Sequence, residues 1–535
     1  MQAAVDAAEN GRSLLAPMMG WMRRRSGISA ILLGAICATG FEPLHLWPLA
    51  LAALAAFFLL VEESGSWRRA AWLGWLFGLG HFTLGSSWVA TAFTYQANMP
   101  ALLGWAAVPL MSLYLAVYPA IAVGLAKVLA KQGSGWAFAL ALGGSWAISE
   151  WLRSWVFTGY PWNPLAMLLL GDFDHPGLAA IAPFMGTYAL SGLTMFLAAA
   201  LALLLSERNF VTAGIAAALI AMGMYLPPPA AREGTLAVTL VQPDIRQEVL
   251  NEPAHYEDNF LKTAELTLPH ERGGTRLVLW PESGLPDYIR EGYPARYYNA
   301  TTAGADPLFA RMRLARVIGP GSMLLTGTTE LEIEDGRAVG AYNSVTALDG
   351  SGAIRGSYAK ARLVPYGEYL ALRWLLEPLG AARLVPGALD FLPGPGAQTL
   401  DLGQWGRAGV QVCYEIIFSG RVADRGDRPD YIFNPSNDGW FGSWGPPQHL
   451  AQARLRAIEE GLPVLRATTT GISAIIDTRG VVREHAPMHQ AKRIEAMVPP
   501  AAPPTPFALL GNLLALGWAM VFLALAAVAN RRSGR

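Results

Sequence analysis

The sequence predicts an α-helical membrane bundle of about eight spans, joined to an α/β layered domain. Charge density supports this division. Residues 1–229 carry 10 Lys and Arg and 9 Asp and Glu, whereas residues 230–500 carry 27 and 31. These counts are about 8% and about 21% of the two segments, against roughly 25% charged residues in an ordinary soluble domain. Long apolar runs fill the first segment, and short β-rich runs fill the second.

The number of spans follows from the length of the apolar runs, since a helix needs about 20 apolar residues to cross a bilayer core. The stretch Ile28–Val61 has 34 residues, which is long for one crossing, and Phe41-Glu42-Pro43 interrupts it. We therefore predict two short helices there. The other candidate spans are Ala70–Phe93, Leu102–Leu129, Trp136–Phe157, Gly177–Leu205, Phe210–Tyr225 and Phe507–Ala529. This count places seven helices before the layered domain and one after it.

Basic residues orient these helices. Arg23, Arg24 and Arg25 precede the first helix pair, and Arg68 and Arg69 follow it. Basic loops stay in the cytoplasm, so we expect both termini to be cytoplasmic and residues 230–500 to lie on the opposite face. In a bacterium, that face of the inner membrane is periplasmic. A miscounted weak span is the alternative, and it would place the layered domain in the cytoplasm.

The predicted domains are a membrane region over residues 1–229, a layered domain over 230–500 and a C-terminal span with a basic tail over 501–535. With 40 basic and 40 acidic residues, the chain has no net charge. That balance excludes a nucleic-acid binder that works through bulk positive charge. Two cysteines exclude a disulfide scaffold and a cysteine-based zinc module. The histidines show no paired spacing typical of metal ligands, so we expect no metal.

Short β-rich runs with helical stretches between them indicate the α/β class of the layered domain. Several of the runs are continuously apolar, as expected for strands covered on both faces. The predicted strands are Leu236–Val241, Leu277–Trp280, Met323–Thr328, Ser344–Leu348, Gly409–Cys413, Tyr431–Asn434, Val464–Thr468 and Ser473–Asp477. The predicted helices are Tyr256–Leu266, Pro307–Arg316 and Gln448–Glu460. Asp349-Gly350-Ser351-Gly352 predicts a hairpin.

Three reactive side chains follow apolar strands, where α/β sheets present their ligand sites. Glu282 is a candidate general base, because partial burial after a strand raises a carboxyl pKa. Lys360 is a candidate donor to an oxyanion, and Cys413 is a candidate nucleophile. Each has an ordinary alternative, which is an exposed glutamate, a surface lysine or a buried structural cysteine. Cys37 lies in the first span, and we interpret it as a packing residue.

Together these segments resemble the nitrilase superfamily, whose Glu-Lys-Cys triad has this chain order. The chain resembles the apolipoprotein N-acyltransferase family more closely, since that family also has a multi-span N-terminal region and one C-terminal span. The matching motifs are Trp280-Pro281-Glu282-Ser283, the Lys360–Tyr369 run, Cys413-Tyr414-Glu415, Asn434–Gly442, Gly445-Pro446 and Gln448-His449. One departure is that many members carry a Lys-Trp pair beyond a Gln-x-Asn-Ile motif, whereas the run Gln242–Asn251 contains no Trp.

The resemblance implies an α-β-β-α sandwich for the layered domain and a two-step acyl transfer through a cysteine thioester. Glu282 would be the base, Lys360 an oxyanion donor and Cys413 the nucleophile. No metal or other cofactor is needed. The implied acyl donor is a phospholipid, typically phosphatidylethanolamine. The implied acceptor is the N-terminal diacylglyceryl-cysteine of an apolipoprotein. We expect a membrane-embedded monomer with no nucleic-acid partner.

Other residues of the matching motifs would support the triad. The backbone N–H of Tyr414 would help to bind the oxyanion. Glu368 and Glu415 would orient Lys360 and the base.

Lipid substrates require an active site that faces the bilayer, so apolar loops are candidate lipid contacts. The segment Tyr369–Leu392 follows the lysine and contains Leu370, Leu372, Trp374, Leu375, Leu376 and Leu379. The loop Thr158–Pro176 is a second candidate for the lipid entrance. The predicted substrate-binding residues are Tyr366, Trp374, Leu375, Trp440, Phe441 and Trp444. For the segment Tyr369–Leu392 and for the aromatic loop Trp440–Trp444, the alternative is packing within the protein core.

Two other functions compete with acyl transfer. A membrane-tethered nitrilase-type amidase would use the same triad, with water as the second nucleophile, but it would not need the apolar loops. A transporter would need charged residues inside its spans, where only Glu150 and Arg153 stand out.

Overall fold

A helical region forms the first part of the computed structural model, which describes residues 20–95, 102–130, 133–230, 232–268, 274–376, 378 and 389–533. Its longer helices are α1 (Ser26–Ala38), α2 (Trp47–Glu62), α3 (Trp67–Gly85), α4 (Leu102–Leu115), α5 (Val117–Ala130), α6 (Gly135–Arg153), α7 (Ala182–Ser206) and α8 (Phe210–Tyr225). The predicted division of Ile28–Val61 is confirmed, because α1 and α2 lie on either side of the interruption at Phe41-Glu42-Pro43.

Three helical segments among the described residues are long and apolar enough to cross a bilayer, namely Leu102–Ala130, Gly177–Ser206 and Asn512–Arg532. The helices α1, α2 and α8 are apolar but shorter. Two predicted spans end early, since α3 stops at Gly85 and α6 stops at Arg153. The structure thus supports an apolar helical region, and the number of about eight spans stays a prediction.

Two six-stranded sheets form the second part of the chain, in the orders β12-β1-β2-β3-β4-β5 and β11-β10-β9-β8-β7-β6. The strands are β1 (Ala237–Gln242), β2 (Leu277–Leu279), β3 (Met323–Glu334), β4 (Arg337–Asp349), β5 (Ile354–Ala359), β6 (Thr399–Asp401), β7 (Arg407–Val410), β8 (Tyr431–Ser436), β9 (Val464–Thr468), β10 (Ser473–Ile476), β11 (Val482–Ala486) and β12 (Lys492–Met497). Strands β1 to β3 are parallel in one sheet, and β7 to β9 are parallel in the other.

Helices cover both outer faces of the sheet pair, as expected for an α-β-β-α sandwich. On the first sheet, α9 (Tyr256–Thr267) and α10 (Pro307–Ile318) pack through Phe260 and Leu314. On the second sheet, α11 (Gly445–Glu460) packs through Ala453 and Ala457. Apolar residues between the sheets form a continuous core. The chain then continues into the C-terminal helix α12 (Asn512–Ser533).

Most predicted strands and helices are confirmed within a few residues, and so is the hairpin, where β4 turns at Asp349 into antiparallel β5. Three strands were not predicted, namely β6, β11 and β12, and β5 was predicted only as the second strand of the hairpin, without bounds. Charged residues such as Lys492, Arg493 and Glu495 interrupt the apolar pattern of β12, yet this strand pairs antiparallel with β1 along six residues. Edge strands with one face toward solvent lack the continuous apolar signal of the central strands.

Helix α11 lies between the second sheet and the helical region. Its Leu455 and Ile458 belong to the same apolar cluster as α2, α3 and α7. Arg454 is buried, and its guanidinium donates to the carbonyl oxygens of Gly171, Asp172 and His175 at 2.8, 2.6 and 2.9 Å. The loop before α7 is therefore fastened to the sheet domain by buried hydrogen bonds.

The helices α1 and α3 cross at glycines that allow their backbones to touch. A Cβ atom added at Gly34 would lie 2.0 Å from the carbonyl oxygen of Phe77, and one at Gly80 would lie 2.0 Å from that of Ile31. Small residues at such crossings are typical of helix packing in membranes. The close approach of α1 and α3 therefore depends on the absence of side chains at these two positions.

We predict that Gly34→Ala lowers the thermal midpoint of the detergent-solubilised protein by several degrees, because the new methyl group forces α1 away from α3. Gly214→Ala on α8 is the matched control, since no atom lies within 4 Å of its added Cβ. Alanine is favoured over glycine in a helix by about 1 kcal/mol, so the control should keep or raise the midpoint. Equal midpoints for the two variants would contradict this packing.

Candidate active site

Cys413 begins a turn directly after the second sheet's strand β7. The chain leaves β7 at Val410 and forms a 3₁₀ turn over Cys413–Ile417. Cys413 has a φ of +51°, in the left-handed region that non-glycine residues seldom adopt. Such backbone geometry costs on the order of 1–3 kcal/mol and clusters at functional sites. The N–H groups of a helix's first turn have no partner within the helix, which suits the predicted role of the Tyr414 N–H.

Glu282 lies just beyond β2 and is buried, with a carboxylate that contacts three separate segments. Its Oε1 accepts a hydrogen bond from the Asn343 side chain at 2.7 Å, and the Lys360 Nζ lies 3.5 Å from the same oxygen. Its Oε2 accepts from the backbone N–H of Asn437 at 2.8 Å. The predicted base is thus a fixed, buried carboxylate and not an exposed loop glutamate.

Lys360 follows β5 and is only 1% exposed. Its Nζ donates to Glu368 Oε1 at 3.0 Å, and Glu368 also accepts from the Asn343 side chain and from the N–H of Val364. Burial acts to lower the pKa of Lys360, but the carboxylates of Glu368 and Glu282 outweigh it and raise this pKa. Lys360 is therefore a permanently charged ammonium in a buried site.

The charges of the site also act on the thiol of Cys413. Burial is the largest effect and raises the thiol pKa well above its usual value, and the carboxylate of Glu282 raises it further. Lys360 opposes this shift without reversing it. The resting nucleophile is therefore a neutral thiol, which needs a base to take its proton when it attacks.

Glu415 was expected to help orient Lys360 and the base, but its carboxylate binds mainly to backbone N–H groups of two loops. Its carboxylate accepts from the hydroxyl of Tyr358 and from the N–H groups of Ala361, Arg362 and Val412, at 2.8 to 3.0 Å. Among the described residues, it forms no hydrogen bond with the Lys360 side chain. Instead, it joins the backbone after Lys360 to the backbone before Cys413, so it aligns two loops and not one side chain.

A buried polar network behind Cys413 was not predicted from the sequence. His449 Nε2 lies 3.0 Å from the carbonyl oxygen of Cys413, and Arg466 donates to Asp438 at 2.7 and 2.8 Å. Burial, then the charge of Arg466, lowers the pKa of His449. A neutral His449 donates from Nε2 to Cys413 and accepts from Arg466 at Nδ1, at 3.0 Å. The signal available in sequence was the concentration of polar residues in Asn434–Gly442.

Asn343 is another residue whose role sequence reasoning missed. It lies in the middle of β4, and its side-chain amide donates to both Glu282 and Glu368. One amide thus sets the separation of the two carboxylates. A single polar residue just before the predicted strand Ser344–Leu348 gives no sequence signal of this role.

The predicted substrate-binding residues fall into two groups. Tyr366, Trp374 and Leu375 are exposed, and Trp374 reaches 77% exposure on the short helix Arg373–Leu376. Within the same segment, Leu370 is buried. Leu379 and its neighbours through residue 388 lie outside the described residues.

The second group differs from the expectation of free lipid-contacting loops. Phe441 is buried, with its ring centroid 4.7 Å from that of Trp88, and Trp440 contacts Tyr95. Trp444 is half-buried against the same core. These rings join the sheet domain to the helical region.

The loop Thr158–Pro176 is likewise mostly core. Trp162 is 1% exposed and donates from its indole N–H to Gln448 at 2.7 Å. Its apolar run at Leu168, Leu169 and Leu170 is buried as well. The expectation of a lipid entrance at these side chains was wrong, because α11 and the helical region cover them.

No group of three or more His, Cys, Asp and Glu side chains in the described part of the chain is arranged to hold a metal ion. The site consists of one thiol, one ammonium and two carboxylates, with amide and backbone donors around them. This set can transfer protons and stabilise an oxyanion without a metal.

Comparisons with known proteins identify the family of this chain. Residues 33–200 match the family model of the apolipoprotein N-acyltransferase N-terminal domain, and residues 237–494 match that of carbon-nitrogen hydrolases. The chain is 32% identical to an apolipoprotein N-acyltransferase of Rhodopseudomonas palustris, over 92% of each chain. It is 33% identical to one of Bradyrhizobium diazoefficiens over 96% of each, and 30% identical to one of Vibrio parahaemolyticus over 94% of this chain and 97% of that one.

Solved structures resemble the sheet domain more distantly. An amidase from Nesterenkonia sp. is 18% identical, with a TM-score of 0.31, and covers 51% of this chain and 93% of its own. Nit3 of Saccharomyces cerevisiae, a member of the nitrilase superfamily, is 17% identical with a TM-score of 0.35, over 51% and 92%. The relatives that match along almost the whole chain, in both its helical and its sheet regions, decide the assignment: the chain belongs to the apolipoprotein N-acyltransferase family.

Proposed function

We propose that this protein transfers an acyl chain from a membrane phospholipid to the α-amino group of the N-terminal diacylglyceryl-cysteine of apolipoproteins. The observation that carries the proposal is the buried cluster of Glu282 and Lys360 beside the strained turn at Cys413, in a chain of this family. Phosphatidylethanolamine is the proposed acyl donor and a diacylated apolipoprotein the proposed acceptor. The protein is proposed to act as a monomer without a cofactor.

In the proposed first step, Cys413 attacks the sn-1 ester carbonyl of the phospholipid while Glu282 takes the thiol proton. Lys360 and the N–H of Tyr414 stabilise the tetrahedral oxyanion, and one such donor is worth roughly 3–4 kcal/mol of barrier. The carbon–oxygen ester bond then breaks, and Glu282 returns the proton to the departing lysophospholipid oxygen. A thioester on Cys413 remains.

In the proposed second step, the α-amino group of the lipoprotein attacks the thioester carbonyl. Glu282 takes a proton from the nitrogen, the carbon–sulfur bond breaks, and Cys413 leaves as a thiol. The same oxyanion donors serve both steps. Because the lysophospholipid leaves before the acceptor attacks the thioester, the scheme predicts ping-pong kinetics. The raised thiol pKa supports this scheme, because it makes Cys413 a good acceptor of the returning proton.

The proposed location is the bacterial inner membrane, with eight crossings, both termini in the cytoplasm and the sheet domain in the periplasm. Strong outward exposure of apolar side chains supports a lipid-facing helical surface, for example at Leu102, Val211 and Leu513. The basic residues at Arg23–Arg25 and Arg68 support the cytoplasmic assignment of that end.

We expect radiolabelled acyl groups to move from phosphatidylethanolamine to a synthetic diacylated lipopeptide when the detergent-solubilised protein is added. The family membership supports lipid substrates, and the exposed apolar surface supports a location at the bilayer. Release of free fatty acid without labelling of the peptide, or turnover of small amides alone, would favour the amidase alternative instead.

Cys413→Ser should abolish both acyl transfer and the covalent acyl-enzyme, because a serine hydroxyl at this site has no comparably acidic proton for Glu282 to take. Cys37→Ala is the matched control and should keep near wild-type activity, since Cys37 lies in α1. Intact-protein mass spectrometry measures the acyl adduct. If the Cys413→Ser protein formed the acyl-enzyme in normal yield, Cys413 would not be the nucleophile.

Glu282→Gln and Lys360→Met should each leave less than about a tenth of wild-type turnover, which corresponds to at least ~1.4 kcal/mol of barrier. Glutamine cannot accept the thiol proton, and methionine cannot stabilise an oxyanion. Single-turnover thioester formation is the measurement, and the thermal midpoint checks folding. A folded variant with higher turnover would show that its residue is dispensable.

Trp374→Ser with Leu375→Ser should raise the apparent KM for phospholipid without lowering the thermal midpoint, because both side chains are exposed. Leu370→Ser is the contrasting control and should lower the midpoint, because burying a large apolar side chain contributes roughly 1.5–3 kcal/mol. An unchanged KM in the double variant would show that this surface does not contact lipid.

A further inference from the structure

A cavity of about 180 Å³ lies outside the catalytic cluster, where the sheet domain meets the ends of two membrane helices. Its lining includes Arg362 and Arg421 from the sheet domain, Trp151 and Trp155 from the end of α6, and Asn512 from the start of α12. The proposed mechanism uses none of these side chains.

The two arginines bring positive charge to the cavity. Within the described part of the chain, the guanidinium of neither Arg362 nor Arg421 forms an ion pair, and that of Arg362 lies 4.5 Å from the ring centroid of Phe418. Burial, then the charge of Arg421, lowers the pKa of Arg362, and the carboxylate of Glu415 acts in the opposite direction. That carboxylate already accepts hydrogen bonds from the Tyr358 hydroxyl and from backbone N–H groups. The nearby acid Glu459 lies behind Ser419 and is paired with Arg456 at 2.9 Å.

The surroundings place this cavity at the level of lipid headgroups. Trp151 and Trp155 contact each other at the end of α6, and tryptophan is enriched at membrane–water interfaces. Apolar side chains next to the cavity face outward, with Phe157 70% and Leu513 73% exposed. The cavity therefore lies between an apolar belt and the polar sheet domain.

Asn512 adds an unused hydrogen-bond acceptor. Its Nδ2 donates to the carbonyl oxygen of Ser419 at 2.9 Å, which fixes the amide. Its Oδ1 is buried and has no hydrogen-bond partner among the described residues. A buried acceptor without a partner is unfavourable unless a ligand supplies a donor.

We propose that this cavity binds the headgroup of a membrane phospholipid, with Arg362 and Arg421 on the phosphate oxygens. Asn512 Oδ1 would accept a hydrogen bond from a hydroxyl or ammonium group of the same headgroup. Arginine suits this task because its planar fork of N–H donors matches phosphate oxygens in pairs. The inference goes beyond the proposed acyl transfer, since the bound phospholipid need not be an acyl donor.

The test measures lipid binding to the full chain in detergent by native mass spectrometry, in a Cys413→Ala background that prevents turnover. The probes are phosphatidylglycerol, a diacylglycerol with the same acyl chains, and inorganic phosphate. Arg362→Gln with Arg421→Gln should weaken phosphatidylglycerol binding at least about tenfold, because charge-assisted hydrogen bonds are lost. Diacylglycerol binding should not change. Arg337→Gln, at an exposed arginine on the first sheet, is the matched control and should bind as the parent does.

Three outcomes would overturn the proposal. The first is equal phosphatidylglycerol binding in the double variant and the control. The second is equal weakening for diacylglycerol, which would show that no phosphate is recognised. The third is binding of inorganic phosphate as tightly as lipid, which would make a free anion the ligand.

A second double variant, Arg362→Lys with Arg421→Lys, separates the loss of charge from a folding defect. It keeps both charges and should retain intermediate affinity for phosphatidylglycerol.

Discussion

A lysine ammonium held between two buried carboxylates is the constraint on which the site depends. Lys360 contacts Glu368 at 3.0 Å and Glu282 at 3.5 Å, in a region from which water is largely excluded. Charges in such surroundings persist only when paired and hydrogen-bonded. The Asn343 amide and the N–H groups of Val364 and Asn437 supply those hydrogen bonds. Burial, and then the carboxylate of Glu282, raise the pKa of the Cys413 thiol, so the thiol stays protonated until Glu282 takes its proton.

The backbone arrangement depends on a second set of buried polar contacts. Glu415 joins the loops on either side of the site, and His449 holds the Cys413 carbonyl in the left-handed turn. Both act on backbone groups, so they place the thiol and the ammonium without touching either. A rigid frame of this kind lowers the reorganisation that a developing oxyanion would otherwise require.

Helix α11 connects this frame to the helical region. One face of the helix packs on the second sheet, and the other packs on the helical region. Arg454 donates to the loop before α7, and Gln448 donates to the carbonyl oxygen of Glu42 between α1 and α2. His449, which contacts Cys413, lies on the same helix. The helix that contacts the Cys413 turn is therefore also the helix that packs on the helical region.

The sequence alone determined the division into an apolar helical region and a charged α/β region, because charge density and apolar run length depend only on composition. It also determined the central strands and the order of Glu282, Lys360 and Cys413. Continuously apolar runs predict buried strands, and the reactive residues come directly after those runs. The tertiary structure decided which polar residues support these three. Asn343, Asp438, His449 and Arg466 come from separate strands and helices, and their partners are distant in sequence. It also decided that the aromatic loops are mostly core, because a tryptophan that packs against protein and one that faces lipid look identical until the neighbouring surface is in place.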